Sequence, residues 1–161
     1  MNDFDSVILA VACVALVLIT CFLLIVMFLS NIARILGRIS PENRRMEPAQ
    51  VWLNLIPVFN IVWTSITVDR VAESLHNEYV SRGLDQAHDS YGRTIGLTLL
   101  ILMASGFLFL LVSDTEAIGV AVVLIALLAF FCWVGYWLQV NRYAEGLKAG
   151  AYRPPPIDEE W

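Results

Sequence analysis

Charged residues are scarce in this sequence. Asp, Glu, Lys and Arg make up 16% of the 161 residues, against roughly a quarter in soluble proteins. Four blocks hold no charged residue at all, over residues 6–33, 48–68, 94–113 and 117–141. Crossing a bilayer core of about 30 Å takes about 20 apolar helical residues. The sequence therefore predicts an all-α integral membrane protein.

Paired cysteines and clustered histidines are also lacking. Cys13, Cys21 and Cys132 stand singly inside apolar blocks, which excludes a disulfide framework and predicts small buried side chains. His76 and His88, with the acids near them, match no metal-ligand spacing, and we expect them to be solvated. No ionisable residue lies inside a block, which disfavours a proton-coupled carrier. The net charge of -5 disfavours a nucleic-acid face. We expect no catalytic residue, cofactor or metal.

Three blocks without a break predict transmembrane helices over residues 6–30, 94–112 and 118–140. The first is not expected to be a secretory signal peptide, because Asp3 and Asp5 precede it, Lys and Arg do not, and no cleavage pattern follows. A short acidic turn joins the second span to the third, so these two must be antiparallel neighbours. A proline-rich acidic tail covers residues 150–161.

The remaining block, residues 48–68, carries Asn54, Pro57 and Asn60 at its middle. Pro57 removes a backbone hydrogen bond, and the two amides can satisfy freed backbone groups, with Asn60 as a cap. We predict a re-entrant helical hairpin that breaks near the bilayer midplane at Pro57, after about 15 Å of α-helix. The alternative is a complete span with a proline kink. These three residues are candidates for lining a pore or pocket. The alternative is a purely structural role, in which the amides only satisfy the backbone groups freed by the break.

The distribution of Lys and Arg favours the hairpin. Four follow the first span, three lie between the central block and the second span, and three lie in the tail. A central span would divide these ten residues into four and six. A hairpin puts all ten on one side, as the positive-inside rule favours. The predicted N-terminus is therefore outside the cell, and the C-terminus is cytoplasmic.

A cytoplasmic amphipathic helix is predicted over residues 69–83, continuing from the hairpin to Gly83. Its charged residues are expected on the solvent face, where Glu78 and Arg82 form an i, i+4 pair. The apolar face repeats at helical spacing and comprises Val68, Val71, Ala72, Leu75 and Tyr79.

The five tryptophans are candidate contact residues. Trp52, Trp63, Trp133 and Trp137 are predicted to lie at membrane interfaces as anchors. Trp161 follows a stiff triple proline and is a candidate contact for a partner protein.

The segment RRMEPAQVWLNLIPVFNIVW, followed by VAESL, YGRTIGL and YWLQVNRYAEGL, is similar to small bacterial multi-pass membrane proteins of uncharacterised function. The resemblance covers residues 44–147 and centres on a W-x-x-x-x-P-x-x-N core, here Trp52, Pro57 and Asn60. It implies the bacterial cytoplasmic (inner) membrane and supplies no activity.

The leading functional hypothesis is a non-enzymatic accessory or scaffold subunit that binds other membrane proteins. Three spans and a hairpin enclose little interior for an active site. The alternative is a homo-oligomeric channel or small-molecule conduit lined by the hairpin. A membrane enzyme ranks third, because no nucleophile, base and metal constellation is present. The expected partners are membrane lipids and either other membrane subunits or further copies of the chain, with no nucleic acid.

The charge count predicts a labelling pattern in intact cells. Once the native cysteines are replaced, single cysteines at Pro41, Gln86 and Ala151 should be shielded from an impermeant thiol reagent. A cysteine at Thr115 should react, because it lies on the side without basic residues. Labelling of position 86 from outside would show that the central block spans.

Overall fold

The computed structural model of the chain describes residues 3–85, 89–112 and 116–149, and the regular elements among them are all helices. Two of these helices are long and apolar enough to cross a membrane, over Phe4–Leu36 and Gly119–Lys148. The prediction of an all-helical chain with membrane-spanning potential is therefore confirmed at this level. In chain order the elements are α1 (Asp3–Leu36), a 3-10 helix (Pro48–Leu55), α2 (Phe59–Ser81), α3 (Arg93–Val112) and α4 (Glu116–Ala149).

Helices α3 and α4 form an antiparallel pair. Gly106 of α3 lies beside Ile125 of α4, and Gly96 lies beside Tyr136, so contacts move backwards along α4 as they move forwards along α3. A Cβ at Gly96 would collide with Val68 of α2 and crowd Tyr136. Gly96 therefore lets three helices approach one another closely.

Helices α1, α2 and α4 run in the same direction. The Asn31 amide of α1 donates to the Asn141 side chain of α4 over 2.8 Å, and the Tyr79 hydroxyl of α2 donates to the Tyr143 carbonyl over 2.9 Å. Both contacts lie towards the C-terminal ends of the helices involved. We call this end of the molecule, where α1, α2 and α4 end and α3 begins, the polar end.

The buried residues gather at the polar end rather than along the apolar helices. Segments there have one apolar and one polar face, so their apolar faces can meet. The buried hydrophobic cluster comprises Leu29, Ile32, Ile35, Leu36, Ile39, Met46, Val51, Val68, Val71, Ala72, Leu75, Tyr79, Tyr91, Tyr136, Val140, Ala144 and Leu147.

The first two-thirds of α1 is exposed on every face. All residues from 4 to 25 are exposed, although most of them are apolar. The expectation that Cys13 and Cys21 are buried is therefore wrong within this chain, since both lie in this exposed part of the helix. A helix that is apolar all round requires a membrane or another protein to cover it.

Helix α2 joins the second arm of the hairpin and the amphipathic segment into one helix. The predicted apolar face is confirmed, because all five of its residues are buried. The placement of Glu78 on the solvent face is wrong, since its exposed fraction is 1%. The helix ends as predicted near Gly83, whose φ is 67°, and the Leu84 N–H donates to the Tyr79 carbonyl over 2.9 Å. This bond and the Gly83 N–H to Val80 carbonyl bond form a Schellman motif.

Helix α4 continues beyond the predicted end of the third span at residue 140. It runs to Ala149 because Tyr136, Val140, Ala144 and Leu147 form a buried stripe that packs in the hydrophobic cluster. Of the acidic turn predicted over residues 113–116, residues 113–115 lie outside the described residues and Glu116 is the first residue of α4, and the tail at 150–161 also lies outside.

The chain breaks at Pro57 and Val58, between the 3-10 helix and α2. The first arm is a 3-10 helix and not the predicted α-helix, and its eight residues rise by about 16 Å. Val58 has φ 67° and ψ -48°, and the Phe59 N–H donates to the Pro57 carbonyl over 2.7 Å. These values describe a classic γ-turn, a rare and strained conformation, here centred on a β-branched residue.

The γ-turn predicts that Val58→Gly stabilises the fold. Glycine adopts positive φ without strain, so the change should raise the free energy of unfolding by about 1 kcal/mol after the loss of chain entropy. The matched control is Val62→Gly on the exposed face of α2, which should lower the free energy of unfolding by about 1 kcal/mol. Thermal unfolding in detergent measures both. A loss of stability in both variants would contradict the strained turn.

Candidate functional site

The stretch from residue 40 to residue 54 lies antiparallel against α2, so the chain doubles back at Pro57. Nearer the polar end, the Arg45 guanidinium pairs with Glu73 over 2.9 Å. Nearer the break, the Trp63 indole N–H donates to the Gln50 carbonyl over 2.9 Å. The two arms of the predicted hairpin are therefore joined by polar contacts along their length.

Asn54 ties the two arms together close to the break. Its amide nitrogen donates to the Val51 carbonyl over 2.8 Å and to the Thr67 hydroxyl over 3.0 Å. Its amide oxygen accepts from the Thr64 hydroxyl over 3.0 Å. Each end of the amide thus has a partner inside the hairpin. This arrangement favours the interpretation that Asn54 has a structural role.

Pro57 and Asn60 lie at the exposed tip instead. The prediction that Asn60 caps the second arm is wrong, because Val58 is the residue that precedes α2 and Asn60 lies in its first turn. The Asn60 backbone N–H donates to the Ile56 carbonyl over 3.0 Å. Its side-chain amide makes no hydrogen bond within the described part of the chain. The structure does not bring the three predicted residues to one surface.

Trp52 and Trp63 take different roles within the hairpin. The ring of Trp63 stacks on Phe59 with centroids 5.1 Å apart, and the Arg70 guanidinium lies 6.0 Å from its centroid. Trp52 has an exposed side chain. Stacking and the hydrogen bond hold the Trp63 ring against the rest of the hairpin, whereas the Trp52 ring is exposed to the solvent or lipid around the chain.

Trp133 and Trp137 surround Phe28 where α4 meets α1. Their ring centroids lie 5.6 and 5.7 Å from that of Phe28, in edge-to-face arrangements. The two rings are half-buried and join α1 to α4. Whether they also lie at a membrane interface stays a prediction, and Trp161 lies outside the described residues.

Glu78 is the most highly connected polar side chain at the polar end. Its carboxylate accepts hydrogen bonds from the Ser40 N–H and hydroxyl, the Asn43 amide at 2.8 Å, and the Arg82 guanidinium at 2.6 and 2.9 Å. Arg82 also donates to the Leu147 carbonyl of α4 over 2.9 Å. Burial acts to raise the pKa of Glu78, but these hydrogen bonds and the Arg82 charge outweigh burial and lower the pKa. Glu78 is therefore a buried carboxylate held in its charged form.

A second polar cluster joins tyrosines to aspartates beside a cleft of about 240 Å³. The Tyr143 hydroxyl donates to Asp89 over 2.5 Å, and the Tyr91 hydroxyl donates to Asp85 over 2.7 Å. His76 lies 3.5 Å from Asp85. Among the described residues, no group of three or more His, Cys, Asp or Glu side chains could hold a metal ion. His88 lies outside the described residues.

A third site lies between α1 and α4, and the sequence pattern does not predict it. Asn31 and Asn141 join the helices, and a crevice of about 340 Å³ opens beside them. The only feature of the sequence that points to it is an asparagine near the end of the first and of the last apolar block, Asn31 and Asn141. The lining comprises Val26, Met27, Ser30, Asn31, Arg34 and Trp137.

No family model, curated protein or solved structure matches the chain. The resemblance to bacterial multi-pass membrane proteins therefore stays a prediction, and a functional proposal has to be argued from the residues above.

The buried carboxylate predicts a clear effect of Glu78→Gln. The change removes the charge that pairs with Arg82 and that accepts from the Asn43 amide, and it should lower the free energy of unfolding by about 2 to 3 kcal/mol. The matched control on the same helix is Glu73→Gln, whose half-exposed pair with Arg45 should contribute less than about 1 kcal/mol. Thermal unfolding in detergent compares them, and equal effects would contradict the central role of Glu78.

The same network predicts a pH dependence. The pKa of Glu78 is lower in the folded chain than its ordinary value of 4.5. Its stabilising contribution is therefore present above the unfolded pKa and is lost as the pH falls through the folded pKa. The difference in stability between wild type and Glu78→Gln should shrink when unfolding is measured below pH 4.5 rather than at pH 7. A difference that grows in acid would contradict the lowered pKa.

Proposed function

We propose that the chain is a non-enzymatic subunit of a membrane assembly in the bacterial inner membrane. It has three spans and a re-entrant hairpin, the N-terminus is outside and the polar end is in the cytoplasm. Besides α1 and α4, the remaining span is α3, the second in chain order, whose 20 residues rise by about 30 Å, enough to cross a bilayer core. The observation that carries the proposal is the exposed part of α1.

The composition of the hairpin tip supports insertion of the hairpin. Apart from Asn60, the exposed side chains there are apolar, and the large ones are Leu55, Ile56, Val58, Phe59 and Val62. Backbone N–H groups in hydrocarbon must be satisfied internally. Around the break, Pro57 has no N–H, and the N–H groups of Ile56, Phe59 and Asn60 donate to carbonyls at short range. Such a tip suits an apolar environment.

The positions of basic residues support the orientation. Each described Lys or Arg lies in the last turn of α1, in the connection to the 3-10 helix, at the middle of α2 or directly after its end, at the start of α3 or in the last ten residues of α4. With the hairpin returning to its own side, these positions all fall at the polar end or next to it. The positive-inside rule then places that end in the cytoplasm.

The exposed part of α1 supports an assembly role. The end of α1 is held in the buried cluster, while residues 4–25 are exposed on all sides. One face of this part carries Ala10, Cys13 and Thr20, with Val17 between them, at spacings of three and four residues, and small residues let membrane helices approach closely. We infer that this small face of α1 receives a helix of another membrane protein, while lipid covers the opposite face.

The alternative, a homo-oligomeric conduit, is supported by one observation. The Asn60 amide lies exposed at the tip with no hydrogen bond within the described residues. Copies arranged around an axis would bring several such amides together. Because Asn54 is engaged inside the hairpin, one amide per chain would line the path.

Site-specific photo-crosslinking in cells tests the proposal. A diazirine-bearing residue at Ala10 or Val17, on the small face, should yield a discrete adduct with another membrane protein. The matched controls, Ile8 and Phe22, lie on the opposite face of the same helix and should yield lipid adducts only. The absence of any difference between the faces would contradict the assembly role. An adduct between two copies of the chain would favour the conduit.

A further inference from the structure

The crevice between α1 and α4 changes from apolar to polar along its length. Val26, Met27 and Trp137 line it towards the apolar parts of the helices, and Ser30, Asn31 and Arg34 line it towards the polar end. Residues 27, 30, 31 and 34 fall on one face of α1, because they are three and four residues apart. The crevice thus has a polar site at the end nearer the polar end of the molecule and an apolar lining at its other end.

The depth of this polar site matches the headgroup region of a bilayer. If the hydrocarbon core covers about 20 residues of α1 and ends near Phe28, Arg34 lies about 9 Å further along the helix axis. The rings of Trp133 and Trp137 lie against Phe28, at the level where aromatic residues prefer the interface. Arg34 would then lie at the depth of the lipid phosphates.

Ion pairing distinguishes Arg34 from four of the seven other arginines among the described residues. Arg44, Arg45, Arg82 and Arg93 each pair with a carboxylate. Arg34 has no ion-pair partner within the described residues, although it lines a crevice. A guanidinium in such a place is complementary to an anion that comes from outside the chain.

The neighbouring amide also has unused hydrogen-bonding groups. Asn31 donates one N–H to Asn141, which leaves its second N–H and its side-chain oxygen without partners among the described residues. The Ser30 hydroxyl donates to the Val26 carbonyl over 2.7 Å, and its oxygen can still accept. The site therefore offers donors for a phosphate together with acceptors for a hydroxyl.

We propose that this crevice binds an anionic glycerophospholipid from the cytoplasmic leaflet. The Arg34 guanidinium binds the phosphate, since its planar fork matches two phosphate oxygens. The amide of Asn31 and the hydroxyl of Ser30 bind headgroup hydroxyls, and an acyl chain lies against Met27 and Trp137. The site rests on the proposed membrane insertion and orientation, and it adds a defined lipid to the proposed assembly.

Native mass spectrometry of protein released from nanodiscs tests the site. The nanodiscs contain phosphatidylcholine with a minor fraction of phosphatidylglycerol. Wild type should retain one phosphatidylglycerol, and Arg34→Gln should retain it about tenfold more weakly, the expected cost of losing a charge-assisted hydrogen-bond pair. The matched control is Arg38→Gln, which removes the same charge one turn further on, outside the crevice lining, and should behave as wild type.

The remaining outcomes separate the site from its alternatives. Equal loss in both variants would mean a diffuse surface charge and would overturn the site. Thermal stabilisation by glycerol 3-phosphate equal to that by phosphatidylglycerol would overturn the lipid in favour of a free phosphate. If the wild-type chain enters the nanodiscs but retains no phosphatidylglycerol, the lipid site is overturned and the membrane proposal is not. Failure of wild type to incorporate overturns the membrane proposal as well.

Discussion

The hydrogen-bonded carboxylate of Glu78 is the constraint on which the polar end depends. It binds Ser40 and Asn43 from the segment after α1, and its partner Arg82 binds the end of α4. A buried carboxylate costs several kcal/mol unless it is paired and fully hydrogen-bonded. All of these contacts must therefore be present in the same folded structure. This requirement fixes the ends of α1, α2 and α4 relative to one another. The hydrophobic cluster packs within the frame that these contacts define.

The buried contacts are distributed unevenly along the chain, and the proposed membrane location accounts for this. At the polar end water makes burial of apolar surface favourable, and the buried residues are found there. Along α1 the side chains are apolar and exposed, which lipid tails tolerate because they are as apolar as leucine. No comparable driving force packs this helix against its neighbours. A helix held firmly at one end and unpacked along the rest is suited to pairing with a helix from outside.

Much of the architecture could be predicted from the sequence, and the errors have physical causes. Charge-free blocks predicted the apolar helices, and the short acidic turn predicted the antiparallel pair. The pattern misplaces Glu78 because its charge predicts exposure, whereas its position predicts burial, since residues 71, 75, 78 and 82 share one face of a helix. The same error hid the extension of α4, where Arg142 interrupts the apolar block but not the stripe formed by Val140, Ala144 and Leu147.

Other features depend on tertiary contacts that no local pattern contains. The first arm is a 3-10 helix whose carbonyls and side chains are bound by α2, as the Trp63 and Asn54 contacts show. Local spacing cannot indicate which helical form those contacts select. The contact between Asn31 and Asn141 joins residues 110 positions apart. Each asparagine alone is an ordinary residue near the end of an apolar helix, and only their proximity creates the crevice.

The hairpin and α1 differ in what they require from their surroundings. Asn54, Thr64 and Thr67 bind one another between the two arms, and near the break the N–H groups of Ile56, Phe59 and Asn60 donate at short range. Apart from the Asn60 side-chain amide, these polar groups are satisfied internally, so the hairpin can lie in lipid without a protein partner. Its outward amide, Asn60, is a single group per chain and gives a weak basis for a conduit. Helix α1 satisfies its own backbone but leaves a small-residue face uncovered, and such a face gains most from contact with another helix. The difference between these two elements is why assembly through α1 is a better account of the chain than a path through the hairpin.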